Sequence, residues 1–169
     1  ATVNALLIGY LKNITMANQQ SVEQEIRFFF SVHKLARLRR RLKKFSATGS
    51  FYEMTKMYDN PNPKFSFYRP QVDGRLRLRY SRPLGSGVKG VGMISWKQRI
   101  PKHQRRRVRT EREVEYSFDL AELDAATKII EDILHCPLIS SYERRRHFFR
   151  SPKFSITLDE FPFGLMLEF

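Results

Sequence analysis

Gly74-Arg75-Leu76-Arg77-Leu78-Arg79-Tyr80 alternates without a break, with three arginines at odd positions and Leu76, Leu78 and Tyr80 at even ones. Successive side chains of an extended chain point to opposite faces, so this is a β-strand with one basic and one apolar face. The pattern recurs on both sides. Residues 22–29 read V-E-Q-E-I-R-F-F, setting Glu23, Glu25 and Arg27 against Val22, Ile26 and Phe28, with Gln24 as a polar interruption. Residues 108–118 set Arg109, Glu111, Glu113 and Glu115 against Val108, Thr110, Arg112, Val114 and Tyr116. Residues 49–59, 91–100 (with Lys97 and Arg99), 140–150, 154–159 and 165–169 read as further strands, punctuated by Pro61, Pro63, Ser151-Pro152 and Pro162-Phe163-Gly164.

Two segments have helical character. Residues 32–45 are rich in Leu, Arg and Lys and follow a candidate cap, Ser31. Residues 120–134 follow Asp119 as cap and offer Leu120, Leu123, Ile130, Ile133 and Leu134 as an apolar stripe, ended by Pro137. Short loops favour antiparallel neighbours, so the expected fold class is α+β, with about eight strands and two helices in one domain.

The chain has 169 residues, enough for one domain or one closed barrel. Lys+Arg 31 against Asp+Glu 17 gives a net charge of +14, which calls for an anionic partner. No apolar run approaches the ~20 residues of a membrane-spanning helix, so no membrane partner is expected. The single Cys136 excludes an internal disulfide and a cysteine-rich zinc site; it suits a reducing compartment, and the cytoplasm is the expected location. The opening residues lack a basic leader region, and the first Met is Met16. Residues 1–20 are therefore read as an extension, non-native or disordered, and residues 21–169 as the folded domain, truncated at its C-terminus.

Charged strand faces have an ordinary reading as the solvated outside of a sheet. Their number argues otherwise, because both helices need apolar sheet surface to pack on. If the apolar faces point outward under the helices, the charged faces line the inside of an eight-stranded barrel. Such a lumen must hold water, cations and a charged ligand, since dry unpaired charges are very costly. Arginines on several strands suit a polyphosphate. Clustered glutamates call for hard cations, Mg2+ or Mn2+, between them. There is no P-loop, no G-x-G-x-x-G and no histidine or cysteine metal spacing.

These stretches resemble the CYTH superfamily, the triphosphate tunnel metalloenzymes. Glu23-Gln-Glu25-Ile-Arg27 is similar to the family's E-x-E-x-K, with Arg for Lys. Met57-Tyr58-Asp59-Asn60-Pro61 looks like Y-Y-D-T-P, and Leu76-Arg77-Leu78-Arg79 like L-R-x-R. Ser95-Trp96-Lys97 resembles the strand with a tunnel lysine, and Arg109-Thr-Glu111-Arg-Glu113 is similar to R-x-E-x-E. Arg144-Arg-Arg146 resembles K-x-R. Leu158-Asp159-Glu160, Pro162-Phe163-Gly164 and Leu167-Glu168 look like the L-D-E-x-P-x-G…E-x-E ending, whose second Glu would fall one position past Phe169. The resemblance spans residues 22–169 and implies an eight-stranded antiparallel tunnel with flanking helices.

The resemblance also implies metal-dependent hydrolysis of a phosphoanhydride in inorganic tripolyphosphate or a nucleoside or other organic triphosphate. A class IV adenylate cyclase, an RNA 5′-triphosphatase and a non-catalytic polyphosphate- or RNA-binding module are the alternatives. On this resemblance Glu23, Glu25, Glu111, Glu113, Asp159 and Glu168 are candidate ligands for Mg2+ or Mn2+. Glu113 and Glu168 are candidates to hold the attacking water. Arg27, Arg77, Arg79, Lys97, Arg109, Arg144 and Arg146 are candidate phosphate contacts. Since Arg144 to Arg146 are consecutive, Arg145 is expected to face out. Lys34–Lys44 and Lys102–Arg107 are two further basic clusters, either solvated faces or an RNA surface that would bring the 5′ end of an RNA to the tunnel.

Overall fold

Alternation in the sequence becomes one antiparallel sheet. The computed structural model describes residues 21–85, 89–100 and 108–169. The expected extension at residues 1–20 and the basic loop at 102–107 lie outside the described residues. The strands are β1 (Ser21–Glu25), β2 (Arg27–Phe30), β3 (Ser46–Tyr58), β4 (Gly74–Pro83), β5 (Val91–Arg99), β6 (Arg109–Asp119), β7 (Leu138–Arg150), β8 (Ser155–Phe161) and β9 (Gly164–Glu168). Their order is β1-β6-β5-β4-β3-β7-β8-β9-β2.

The two outermost strands of that order are halves of one ribbon, parted only at Ile26. β1 pairs with β6 at one edge, and β2 pairs with β9 at the other. Ile26 N–H donates to the Phe169 carbonyl and Phe169 N–H to the Ile26 carbonyl, both at 3.1 Å. The ribbon therefore bridges both edges and makes the sheet a nearly closed barrel. The expected eight strands become nine segments because the first is split.

Helix α1 (Leu35–Leu42) follows a 3-10 turn at Val32–Lys34. The Ser31 hydroxyl does not cap it, contrary to expectation. Lys34 N–H, the donor such a cap would take, is already paired at 2.9 Å with the Ser31 carbonyl. Asp119 does act as a cap, accepting from Ala121 N–H at 2.9 Å. After it come a 3-10 turn, helix α2 (Leu123–Lys128) and a π turn at Ile129–Ile133. The π turn takes up an extra residue and slips the stripe's phase. Ile130 is buried, while Ile133 and Leu134, expected on the same stripe, stay 69% and 55% exposed.

The apolar cores lie outside the barrel wall. Tyr58, Leu78 and Phe118 pack with Ala126 of α2, Ile130 of the π turn and Cys136. Ile156, Leu158, Leu165 and Leu167 pack under Leu35, Leu38 and Leu42 of α1. Each fully buried Leu or Ile contributes about 1.5–3 kcal/mol, so these two layers offset what a charged interior costs. No helix among the described residues is long and apolar enough to cross a membrane.

Candidate functional site

With the apolar faces turned outward, strand parity sends the charged faces inward, and all nine strands contribute. The acid-rich part centres on Lys97, which sits opposite Glu113 in the β5–β6 register. Lys97 Nζ lies 2.9 Å from Glu23, 3.3 Å from Glu113, 3.7 Å from Glu111 and 3.9 Å from Glu25. One ammonium thus serves four carboxylates. Arg77 Nη2 reaches Glu113 at 2.8 Å, and its Nε donates to Ser95 Oγ at 3.1 Å. Arg27, opposite Glu168, bridges Glu168 at 2.8 Å and Glu25 at 2.6 Å. Arg75 and Arg99 reach Glu111 at 3.3 and 3.6 Å. Arg109 is half-buried opposite Glu25.

A second group surrounds Arg144 and Arg146. The expected parity holds: both are buried and Arg145 is exposed. Arg146 grips Asp159 with a fork, Nε–Oδ1 at 2.6 Å and Nη2–Oδ2 at 2.7 Å. Arg144 donates to Asp159 at 2.9 Å and to Glu53 at 2.8 Å. Asp159 therefore belongs with these arginines and not with the acids around Lys97. The charge of Arg79 sits beside Glu53 and Arg146.

Glu53 is the residue that reading the sequence missed. It lies in an aromatic stretch and shares its face with Phe51 and Thr55, so it shows no charged alternation. Only its register, opposite Arg144 on β7 and Ser81 on β4, reveals its place. Asp59, part of the Y-D-N-P stretch, lies outside the tunnel. It organises a loop, accepting from Asn60 N–H, Phe67 N–H and Ser66 Oγ. On the outer wall His147 links Ser50 (2.8 Å) to Glu160 (2.9 Å), and Glu160 holds Arg39 of α1.

The two groups differ electrostatically. Burial pushes Glu113 up to about 8, helped by Glu115 and Glu23 and opposed by Lys97 and Arg77. Burial and Glu168 likewise raise Glu25, against Arg27 and Lys97. Burial also acts on Glu53, yet Arg79, Arg144 and Arg146 outweigh it and hold that carboxyl down at about 2. Glu168 is held at about 2 by Arg146 and Arg27 against burial. In the Lys97 group burial wins at Glu113 and Glu25, while Lys97 holds Glu23 below the usual carboxylate range; at Glu53 the arginines win. Among the described residues no three acidic, histidine or cysteine side chains stand ready-made as a metal cage.

No family model matches the sequence, and a search of curated proteins finds no match. Solved structures do match. The PH1819 protein of Pyrococcus horikoshii superposes with a TM-score of 0.62 at 20% identity, over 85% of this chain and 76% of that one. HpAC1 of Hippeastrum, an assigned adenylyl cyclase with a dominant triphosphatase activity, gives 0.58 at 15% identity, over 86% and 78%. A chain of the Schizosaccharomyces pombe Mediator head module also gives 0.58, at 9% identity, over 88% and 81%. The architecture is thus shared by proteins with different work to do. In its nearly closed antiparallel barrel with the helices outside, this chain shares the fold of these solved structures.

Proposed function

We propose that residues 21–169 form one tunnel domain that binds a triphosphate-bearing small molecule and, with Mg2+ or Mn2+, hydrolyses one of its phosphoanhydride bonds. The observation that carries this reading is the convergence of Arg27, Arg77, Lys97, Arg144 and Arg146 with Glu25, Glu111, Glu113 and Glu168 in a single interior. Arginine forks from several strands match phosphate oxygens and offset the charge that builds on the leaving group. Glu23, Glu25, Glu111, Glu113 and Glu168 supply only oxygen donors, the set a hard divalent ion takes. That burial holds Glu113 and Glu25 above the usual carboxylate range supports the fit, because a bound cation would favour their ionised forms. A bound ion would polarise the terminal phosphoryl group.

Lys97 would then release its carboxylates and turn to phosphate oxygens. Glu113 or Glu168 would accept a hydrogen bond from the water whose oxygen attacks the terminal phosphorus. The bond from that phosphorus to the bridging oxygen breaks, its electron pair stays on that oxygen as the shortened phosphate chain leaves, and the water's proton passes to the carboxylate. Arg79 and Arg109 extend the basic lining toward the rest of the substrate. The free, buried Cys136 supports placing the protein in the cytoplasm.

A second reading has its own support. Every acid named here already has a basic partner, as in a module that binds polyphosphate without turning it over. Purified protein given tripolyphosphate, ATP or 5′-triphosphate RNA with Mg2+ or Mn2+ separates the possibilities. The expected result is metal-dependent phosphate release that falls about 100-fold or more in Glu25→Ala. Cyclic nucleotide from ATP would make it a cyclase, release from RNA alone an RNA 5′-triphosphatase, and binding without release the non-catalytic module. Undiminished turnover in Glu25→Ala would overturn the site assignment.

A further inference from the structure

The acids and bases inside the tunnel come close to cancelling one another, so the net charge of +14 is carried outside it. Much of it lies on α1 and its flanks. No Asp or Glu occurs between Ser31 and Phe45. Lys34, Arg37, Arg40, Arg41, Lys43 and Lys44 are all exposed. Among the described residues only Arg39 of this helix has an acidic partner. Such crowding is self-repelling. Lys34 and Arg37 also stand at the helix N-terminus, where the macrodipole disfavours cations. Nothing in the packing of α1 needs these charges, since Leu35, Leu38 and Leu42 make its contact with the barrel.

A row of aromatic rings begins where this helix ends. Phe45 lies 6.4 Å from Phe154, Phe154 lies 5.9 Å from Phe169, and Phe169 lies 6.0 Å from Phe28, centroid to centroid. Phe154 and Phe28 are 45% and 41% exposed and supply the open rings, while Phe45 and Phe169 are half-buried against the layer under α1 and anchor the row. Lys44 Nζ sits 5.1 Å over the Phe45 ring, joining the basic face to the aromatic one. Cations that follow a phosphate backbone beside rings that can stack unpaired bases are the two components of single-strand recognition. An anionic membrane is the poorer occupant, because the apolar side of α1 is already spent on the barrel and cannot enter lipid.

We infer that the exposed basic face of α1 and the adjoining Phe45–Phe154–Phe169–Phe28 row bind single-stranded nucleic acid. The surface is separate from the tunnel, and the inference does not rest on the tunnel's chemistry. The test uses a fluorescent 5′-hydroxyl oligouridylate of about 20 nucleotides, long enough for a typical single-strand site. It carries no triphosphate, so its failure to bind would leave the proposed hydrolysis untouched.

Fluorescence anisotropy should show binding with roughly five phosphate contacts, weakening about 100-fold between about 50 and about 200 mM salt. The exposed triple variant Arg37→Gln, Arg40→Gln, Arg41→Gln should bind at least about tenfold more weakly and lower the salt slope by about 2. Phe154→Ala should lose about tenfold for the single strand and nothing for a duplex of equal length. Far-UV circular dichroism should match wild type for both variants. Affinity unchanged in the triple variant overturns the inference. So does a duplex bound as tightly as the single strand by wild type and Phe154→Ala alike. Binding to phosphatidylserine vesicles without binding to the oligonucleotide also overturns it.

Discussion

Glu53 and Lys97 show how one residue carries a charged interior. The Glu53 carboxyl titrates at about 2 when folded, against a usual value near 4.5, so between those values the unfolded chain binds more protons. Its stabilisation is therefore complete above about pH 4.5 and is lost as pH falls toward about 2. A shift of that size is worth about 3 kcal/mol. Urea midpoints at acid and neutral pH should show Glu53→Gln destabilised near neutrality and converging with wild type near pH 2. A constant gap across the range would show that Glu53 works through packing alone.

Lys97 is the opposite case, one cation among four acids. Lys97→Gln takes the shared cation from these acids and leaves Arg27, Arg75, Arg77 and Arg99 as their partners, at a cost of about 3 kcal/mol. Its melting temperature should fall without metal and recover in millimolar Mn2+ by more than wild type gains. A melting curve in which the variant gains no more from Mn2+ than wild type does would count against the glutamates as ligands.

At the level of elements, the helices act as lids on an inverted sheet, since the strand faces that would fill an ordinary core are on the outside here. Ile130, in the π turn that continues α2, packs with Tyr58, Leu78 and Phe118. Ile130→Ala should therefore cost about 2–5 kcal/mol, read from denaturant unfolding. Beneath it, Gly92 is a close-approach position: a Cβ there would lie 2.1 Å from the Phe118 ring. Gly92→Ala should cost about 1–3 kcal/mol by pushing that ring off its seat. Wild-type midpoints in both variants would mean that α2 and its layer carry little of the stability. Of the expected stripe, Leu123 and Ile130 were legible from helical spacing. The exposure of Ile133 and Leu134 was not, because a π turn changes the period and leaves no mark in an apolar run.

For the whole molecule, closure depends on the ribbon that crosses from β6 to β9 at Ile26. Ile26→Pro removes the N–H that donates to Phe169 and resists the extended geometry on both sides. Hydrogen exchange should speed up in β1, β2 and β9 together, and tripolyphosphate binding should weaken, because Glu25 and Arg27 flank the break. Exchange confined to residues 25–27 would show that the barrel holds without this bridge.

Alternation of charge with apolar side chains is a local property of an extended chain. The strands and their two faces were therefore readable from residue order, and with the family resemblance so was the inward set Glu25, Arg77, Lys97, Glu113 and Arg146. Which acid meets which base was not, because that depends on the stagger of nine pairings, each set by contacts far apart in the chain. Register carries Asp159 away from the other acids to Arg146, brings Glu53 out of an aromatic stretch to Arg144, and gathers four carboxylates around Lys97. The sequence thus determined most of what lines the tunnel, Glu53 excepted, and tertiary closure decided how those charges are paired, since Coulomb energy depends on separations that only the closed barrel sets.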